Sequence, residues 1–442
     1  MIVFISNSGE ILPVAYRMQK EGKEVLVYIH NPRYRGNYNE ALERTTASKL
    51  QAAVRRAEMV VFDIIRPNEG THADIQLLKV FRANKNAPEV FGAIADKIRK
   101  KVPVVGASSE TATWELDRYK GEKIAKSVGI AIPETYQFNK LSEGSSFLKG
   151  KKTRWVFKPN NNQDLDLTYV ENFPGDLKSK LDGEYQRRLE DKFDYILQKV
   201  IEGVEISTEG WFDGEKFVSF NHTLEDKKLM TGGLGPAIGS QGNTVWIKYD
   251  ANGLLVREMS KLSSQLKKAG YVGPVDANCI ISEQDKKPYF LEWTMRPGYD
   301  ALYCLLTLYA GKISKFFEGY FKPNFHEGYA SSQRITIPPF PYSEPSLLRD
   351  YAQGVEVMSG LDHSGFWAED VTVNEGRLEC AGADGILGVI ASRGKSIGAS
   401  VGNMYRSIDK LKVGSTLQYR TDSIKRPERD IKKLQKWGAR ID

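Results

Sequence analysis

The chain is poor in cysteine, with three among its 442 residues: Cys279, Cys304 and Cys380. They form no CxxC pair and no ligand-like spacing, which argues against a disulfide framework or a structural zinc site and predicts a reducing compartment. Long apolar runs are also missing. Nowhere do about 18 apolar residues follow one another, and the opening Met1-Ile-Val-Phe-Ile-Ser lacks a basic segment leading into a long apolar stretch, so neither a membrane span nor a signal peptide is expected and the predicted location is cytoplasmic. The three cysteines lie in apolar stretches where a thiol is inert, and no nucleophilic serine or cysteine is expected. The first loop carries one glycine, Gly9, where a dinucleotide fingerprint needs three, which argues against a Rossmann cofactor. Nor does charge of one sign dominate. The 63 basic residues are largely matched by 56 acidic ones, leaving a formal charge of +7. That balance suits anionic partners such as nucleotides and leaves nucleic acid possible but not indicated. The densest basic stretch, residues 425–440, mixes both signs and reads as a solvated helix face.

At this length the chain exceeds one ordinary core, and several packed domains are expected. Ile2-Val-Phe-Ile-Ser, a helical pattern through Met18 and Glu24-Val-Leu-Val-Tyr-Ile make a βαβ opening, and strands at Met59-Val-Val-Phe and Val102-Pro-Val-Val continue an open α/β domain over residues 1–105. A helix from Asp117 to Val128, stopped by Gly129 with Pro133 beyond, opens an α+β region over 106–335. Strands are predicted at Trp155-Val-Phe-Lys, Tyr195-Ile-Leu-Gln-Lys-Val, Ile206-Ser-Thr-Glu-Gly-Trp-Phe, Lys216-Phe-Val-Ser-Phe, Val275-Asp-Ala-Asn-Cys-Ile-Ile and Tyr289-Phe-Leu-Glu-Trp. A glycine-rich loop is predicted over 232–242, then a helix near 254–269. Residues 336–442, with short strands and one helix near 396–411, read as a small separate subdomain. The fold class is multidomain α/β and α+β.

Several residues carry candidate chemistry. Lys158 ends an apolar strand just before a polar loop, where a compact charge with three donors reaches nucleotide phosphates; a solvated strand-end lysine is the plainer reading. In the strand-turn-strand at 195–207, backbone groups of Lys199, Val200 and Ile201 can meet an adenine edge while Glu205 accepts from ribose hydroxyls, unless the segment is an ordinary hairpin. Asp276 and Glu292 lie in two apolar strands joined by a turn. Carboxylates there are costly to bury unless paired or bound to a cation, and two hard oxygen ligands on one side suit Mg²⁺ between nucleotide phosphates. A salt bridge of Glu292 with Arg296 is the competing account. Arg296, in Arg-Pro-Gly-Tyr-Asp, has the planar fork to clamp a carboxylate or phosphoryl oxygen. The loop at 232–242 has five glycines, which permit positive φ and close approach of N–H groups to phosphate. His222 is read as structural.

Taken in order, these elements resemble the ATP-grasp superfamily, and within it the phosphoribosylamine–glycine ligases. Gly106-Ala-Ser-Ser-Glu-Thr-Ala-Thr-Trp-Glu-Leu-Asp-Arg is similar to the segment entering the nucleotide-binding domain, with Arg118 at a basic position. The resemblance implies that Lys158 binds phosphate, that Gln198, Lys199, Val200 and Ile201 form the adenine hinge, and that Glu205 binds ribose. It likens Asp226-Lys-Lys, with Lys228, and Gly232-Gly-Leu-Gly, with Gly233, to two further nucleotide-binding segments. Leu291-Glu-Trp-Thr-Met-Arg-Pro-Gly is similar to the family's metal segment, which makes Asp276, Glu292 and Thr294 metal ligands and Arg296 and Lys158 catalytic. Phe366-Trp-Ala-Glu-Asp, Gly376-Arg-Leu-Glu-Cys and Tyr419-Arg-Thr-Asp-Ser-Ile resemble the same ligases' C-terminal subdomain.

The departures are Thr294 where asparagine is usual, Asn160-Asn-Asn-Gln-Asp-Leu-Asp in place of a glycine-rich flap, and Asn7-Ser-Gly-Glu and Asp63-Ile-Ile-Arg-Pro-Asn-Glu in place of the acceptor-binding loops. The resemblance implies a monomeric or homodimeric enzyme using ATP and Mg²⁺, or Mn²⁺, to join a small amino acid such as glycine to an amine acceptor through an acyl-phosphate. The alternatives are a true phosphoribosylamine–glycine ligase, a nucleotide-binding protein without turnover, and a nucleic-acid binder.

Overall fold

The short apolar runs at the start form parallel strands β1 (Ile2–Ser6), β2 (Val25–Ile29), β3 (Met59–Phe62) and β4 (Val104–Val105), in the order β2-β1-β3-β4. Each is apolar on both faces because each face is covered: Ile2 and Phe4 enter one core cluster, Val3 and Ile5 another. We describe the protein from a computed structural model, which covers residues 1–65, 72–83, 90–160, 167–248 and 252–441. The distal part of the Asp63-Ile-Ile-Arg-Pro-Asn-Glu segment and most of the loop after Asn160 lie outside the described residues.

The helix expected after Asp117 spans Arg118–Val128. Asp117 caps it, accepting from the amides of Tyr119 at 3.0 Å and Lys120 at 3.2 Å. Gly129 ends it at φ 93°, a left-handed conformation that glycine adopts without steric cost. A Cβ on Gly121 would lie 2.6 Å from the carbonyl oxygen of Trp114, so the missing side chain lets this helix pack closely, and its Gly121 carbonyl accepts from Trp293 Nε1 at 3.0 Å.

Next comes an antiparallel sheet of β5 (Thr135–Lys140), β6 (Trp155–Pro159), β7 (Tyr169–Val170) and β8 (Lys192–Lys199), ordered β5-β8-β6-β7. Trp155, Phe157, Tyr195 and Leu197 fill its own core, and the two-residue period puts Lys158 and Gln198 on the opposite face.

The largest sheet has eight strands. They are β9 (Gly203–Phe212), β10 (Phe217–Met230), β11 (Leu234–Lys248), β12 (Gly273–Ser282), β13 (Pro288–Thr294), β14 (Tyr329–Thr336), β15 (Phe366–Ala368) and β18 (Ile386–Gly394), in the order β13-β12-β9-β10-β11-β14-β18-β15. A hairpin of β16 (Val371–Asn374) and β17 (Arg377–Cys380) stands apart. From the third region, β18 hydrogen-bonds onto β14 and β15 onto β18, so this sheet continues past residue 335.

Two segments differ from expectation. The glycine-rich stretch is not a loop before a helix but the turn and return strand of the β10–β11 hairpin; Gly232 and Gly233 take φ of 79° and 71° at its tip. Ladder bonds on both sides, to Asp226 of β10 and Gln333 of β14, hold Gly242 in the strand despite its weak strand preference, while Gly235 and Gly239 keep positive φ of 77° and 84°. The helix near 254–269 is two short ones, Val256–Ser260 and Ser263–Lys268. Among the described residues no helix is long and apolar enough to cross a membrane. All three cysteines are buried thiols, and burial pushes Cys304 up to about 12, consistent with inert sulfur.

Candidate nucleotide and metal site

The polar face of β9, β10, β12 and β13 confronts the Lys158 face of the small sheet, and the charged side chains of the two meet there. Lys158 Nζ donates to Gln198 Oε1 at 2.9 Å, and Gln198 Nε2 donates to Glu122 Oε1 and Thr135 Oγ1, each at 3.3 Å. Burial, reinforced by the neighbouring Arg118 charge, brings the Lys158 ammonium down to about 8 against the opposing pull of Glu292. Arg118 Nη1 lies 3.3 Å from Glu292 Oε2, while its Nε donates to the Pro159 carbonyl at 2.8 Å, so one guanidinium ties β6 to β13. Burial would raise the Glu292 carboxyl, but Arg118, Lys227 and Lys158 outweigh it and hold Glu292 ionised, down at about 2.

Glu205 Oε1 accepts from Lys227 Nζ at 2.6 Å and from Asn278 Nδ2 at 3.0 Å. Burial opposes ionisation of Glu205, and Lys227 more than offsets it, lowering the carboxyl. Lys227 is the mirror case: desolvation would lower it, and Glu205 with Glu225 raises it. Lys227, not Lys228, therefore faces the site. A register irregularity between Asp226 and Lys228 falls at this point of β10, and Lys228 is exposed with its carbonyl accepting from Arg420 Nη1 at 3.1 Å. Gly232 also turns toward the C-terminal segment, its N–H donating to Asp422 Oδ2 at 2.8 Å.

On β12 and β13, Asp276 pairs in register with Thr294, and Asn278 with Glu292, giving a two-by-two patch of oxygen-bearing side chains. Asp276 Oδ2 accepts from Ser207 Oγ at 3.1 Å, whereas its Oδ1 and the Oδ1 of Asn278 are buried with no hydrogen-bond partner among the described residues. Burial and the nearby Glu209 raise the Asp276 carboxyl well above the usual range. Orphaned hard oxygens beside an ionised Glu292 fit a magnesium ion in chemistry. No cluster of three or more His, Cys, Asp or Glu suited to a metal occurs among the described residues, so such an ion would draw further ligands from phosphate and water.

The competing account, a Glu292–Arg296 salt bridge, is not what the described residues form: Arg296 Nε meets Glu115 Oε1 at 3.1 Å, and Glu115 Oε2 accepts from the Met295 amide at 2.8 Å. Arg296 is directed toward the N-terminal domain, in the field of Glu10 and Asp63. In the hinge, the amides of Lys199 and Val200 already donate to the carbonyls of Glu134 at 2.8 Å and Arg154 at 3.0 Å, and the Lys199 ammonium lies 3.5 Å from Glu134. His222 is buried in β10, 3.0 Å from Thr208 Oγ1, as a structural group. Sequence reasoning missed Glu122, Lys227, Asn278 and Glu115. Two had a signal: Glu122 is four residues from Arg118 on one helix face, and Asn278 two from Asp276 on one strand face.

No protein-family model matches the chain. Among solved structures, phosphoribosylamine–glycine ligase of Thermotoga maritima aligns with a TM-score of 0.67 at 16% identity, covering 96% of this chain and all of that one. The chain has an ATP-grasp fold. Two further structures share it. The biotin carboxylase domain of Hydrogenobacter thermophilus 2-oxoglutarate carboxylase, in complex with MgADP and bicarbonate, aligns at 0.58 and 12% identity over 95% of this chain and 91% of that one. N5-carboxyaminoimidazole ribonucleotide synthetase of Thermotoga maritima aligns at 0.55 and 12% identity over 94% and 99%. In sequence, an uncharacterised protein of Methanocaldococcus jannaschii is 28% identical over 167 residues, and the match spans 35% of this chain and 40% of that protein. Within the ATP-grasp fold, the charged groups described above lie between the small sheet and the large one.

Proposed function

We propose that this chain is an ATP-dependent carboxylate–amine ligase that phosphorylates a carboxylate and passes the acyl group to an amine. The observation that carries the reading is the convergence of Lys158 and Lys227, from two facing sheets, and of Arg118, from the Arg118–Val128 helix, on Glu292 and Glu205. Lys158 and Arg118 supply positive charge for phosphates, Glu205 accepts from ribose hydroxyls, and the Gln198, Lys199, Val200 and Ile201 hinge lies along the adenine edge. With Lys199 and Val200 amides already engaged, the hinge would contribute its remaining backbone groups. Glu292, Asp276 and Asn278, with Thr294, would hold Mg²⁺, which when bound neutralises charge on the β and γ phosphates. Arg296, held by Glu115, orients the acyl-phosphate oxygen. Catalysis here is positioning and electrostatics, with no covalent intermediate on the protein. The carboxylate is that of glycine or another small amino acid, and the acceptor an amine on a nucleotide-like molecule.

The test is ADP release with Mg²⁺ across amino acids and amine acceptors, with mass spectrometry of the condensation product. No ADP above background from any pair defeats the proposal, as does full activity in Lys158→Ala.

A further inference from the structure

A polar cavity of about 50 Å³ lies between the loop after β1 and the third region. It is lined by Glu10, Asn37, Glu369, Asp370 and Asp384, together with Ser8 and Tyr34, and its lining contains no lysine or arginine. Asp370 is internally satisfied by the amides of Ala383, Asp384 and Gly385 at 2.8, 2.9 and 2.8 Å. Glu10 Oε2 accepts from Ser8 Oγ and Glu369 Oε1 from Tyr303 Oη, each at 3.0 Å, so these hydrogen bonds come from neutral donors. The Arg334 guanidinium, whose charge reaches Glu369, Glu10 and Asp384, is itself bonded to Asp300 at 2.6 Å.

An independent feature points to a ligand. Asn37 is 2% exposed and lines the cavity, its Nδ2 donates to the Glu369 carbonyl at 3.1 Å, and its Oδ1 has no partner among the described residues. With the amide orientation fixed by that bond, the orphaned atom is an acceptor, as are the carboxylates around it. Burial raises Glu369 well above the usual range and, with Asp370 beside it, brings Asp384 up to about 7, against the opposing pull of Arg334 on both. The space admits a group little larger than one or two waters, and phosphate would meet like charge there.

We infer that this cavity binds the primary ammonium head of a substrate, a donor-only group that satisfies Asn37 and the carboxylates together. Its role in the ligase reaction rests on the reading above. Glu10 links the two places, since its charge also reaches Arg296 and Asp63. The bound nitrogen is not the reacting one, which must be uncharged to attack. It is either the α-ammonium of the amino acid whose carboxylate is activated or the distal ammonium of a diamine acceptor.

Calorimetric titration of the full chain without ATP separates these. Glycine and 1,4-diaminobutane are the two ammonium probes; N-acetylglycine and ribose 5-phosphate are the controls. Saturable binding of one ammonium probe is expected, weakened about tenfold in both Glu10→Gln and Asp384→Asn, the scale of a lost charged hydrogen bond. Circular dichroism verifies that each variant is folded. Binding by glycine identifies the donor and binding by the diamine the acceptor. The inference is overturned if neither probe binds, if affinity is unchanged in a folded variant, or if ribose 5-phosphate displaces the ammonium probe. Ammonium binding with no ADP release from any pair removes the ligase reading alone and leaves the cavity's assignment standing.

Discussion

Replacing Lys227 by methionine keeps the aliphatic stem and removes the charge, leaving Glu205 and Glu225 facing each other across the vacated position. The ammonium is 2.6 Å from Glu205 and 3.8 Å from Glu225, and the pair's side chains are each about a third exposed, at 34% and 31%. Breaking a fully buried pair costs about 3–5 kcal/mol and breaking an exposed one about 0–1 kcal/mol, so a partly exposed pair lies near 2 kcal/mol. Chemical denaturation of Lys227→Met should show a loss of that size, and the double variant Lys227→Met/Glu205→Gln should recover part of it because no unpaired carboxylate remains at Glu205. Glu205 is lowered in the folded chain, so its contribution is present above its unfolded value near 4.3 and lost as pH falls through the folded one. Lys227 is raised, so its contribution is full below about 10.4 and lost as pH rises through its folded value. Burial holds Glu225 up at about 7, so its attraction to Lys227 is added only above that pH; the stability difference between wild type and Lys227→Met should therefore be largest from about pH 8 to 10 and shrink in acid. Calorimetry with a non-hydrolysable ATP analogue should show at least about tenfold weaker binding, the value of one charged hydrogen bond. Lys228→Met should change neither quantity. Loss of nucleotide binding in Lys228→Met with retention in Lys227→Met would refute the assignment of the inward face of β10.

ATP affinity should fall as pH rises through about 8 and the Lys158 ammonium deprotonates, a dependence that calorimetric titrations from about pH 6.5 to 9.5 should detect and that Lys158→Arg should remove. Glu292→Gln should abolish ADP release and weaken Mg²⁺-dependent nucleotide binding while leaving the folded circular-dichroism spectrum intact; undiminished turnover would exclude Glu292 as a metal ligand. Trp293, 1% exposed and bonded to the Gly121 carbonyl at 3.0 Å, should lose about 3–5 kcal/mol of stability on substitution by alanine, read by urea denaturation.

Features set by short-range chemistry were legible in the sequence. Asp117 and Gly129 bracket the Arg118–Val128 helix as their capping preferences demand, and the apolar runs of the N-terminal domain became strands covered on both faces. The β10–β11 hairpin was not legible, because glycine at 232, 233, 235, 239 and 242 reads locally as loop, whereas β11 is paired on one edge with β10 and on the other with β14, a strand distant in sequence. The continuity of the large sheet into β15 and β18 is a long-range fact of the same kind.

The charged residues of the site show where local reading stops. Lys227 and Lys228 are adjacent and chemically identical, so composition and motif order cannot choose between them; the choice belongs to the alternation of β10 and the irregularity after Asp226. Asp276 and Glu292 were readable because a carboxylate inside an apolar strand is costly and demands a partner. What that partner is depends on register. Asn278 stands opposite Glu292, and Asp276 stands opposite Thr294, so the oxygen set includes an amide that no charge-based argument would have selected. The same logic redirected Arg296: proximity in sequence suggested Glu292, but two residues along a strand keep the same face only while the strand lasts. Strand β13 ends at Thr294, and beyond it the chain delivers Arg296 to Glu115 at the entrance to the N-terminal domain. The residue that would orient the activated carboxylate is thereby fixed by the segment that packs the two domains together, which makes Glu115 a positioning residue whose loss should act through Arg296.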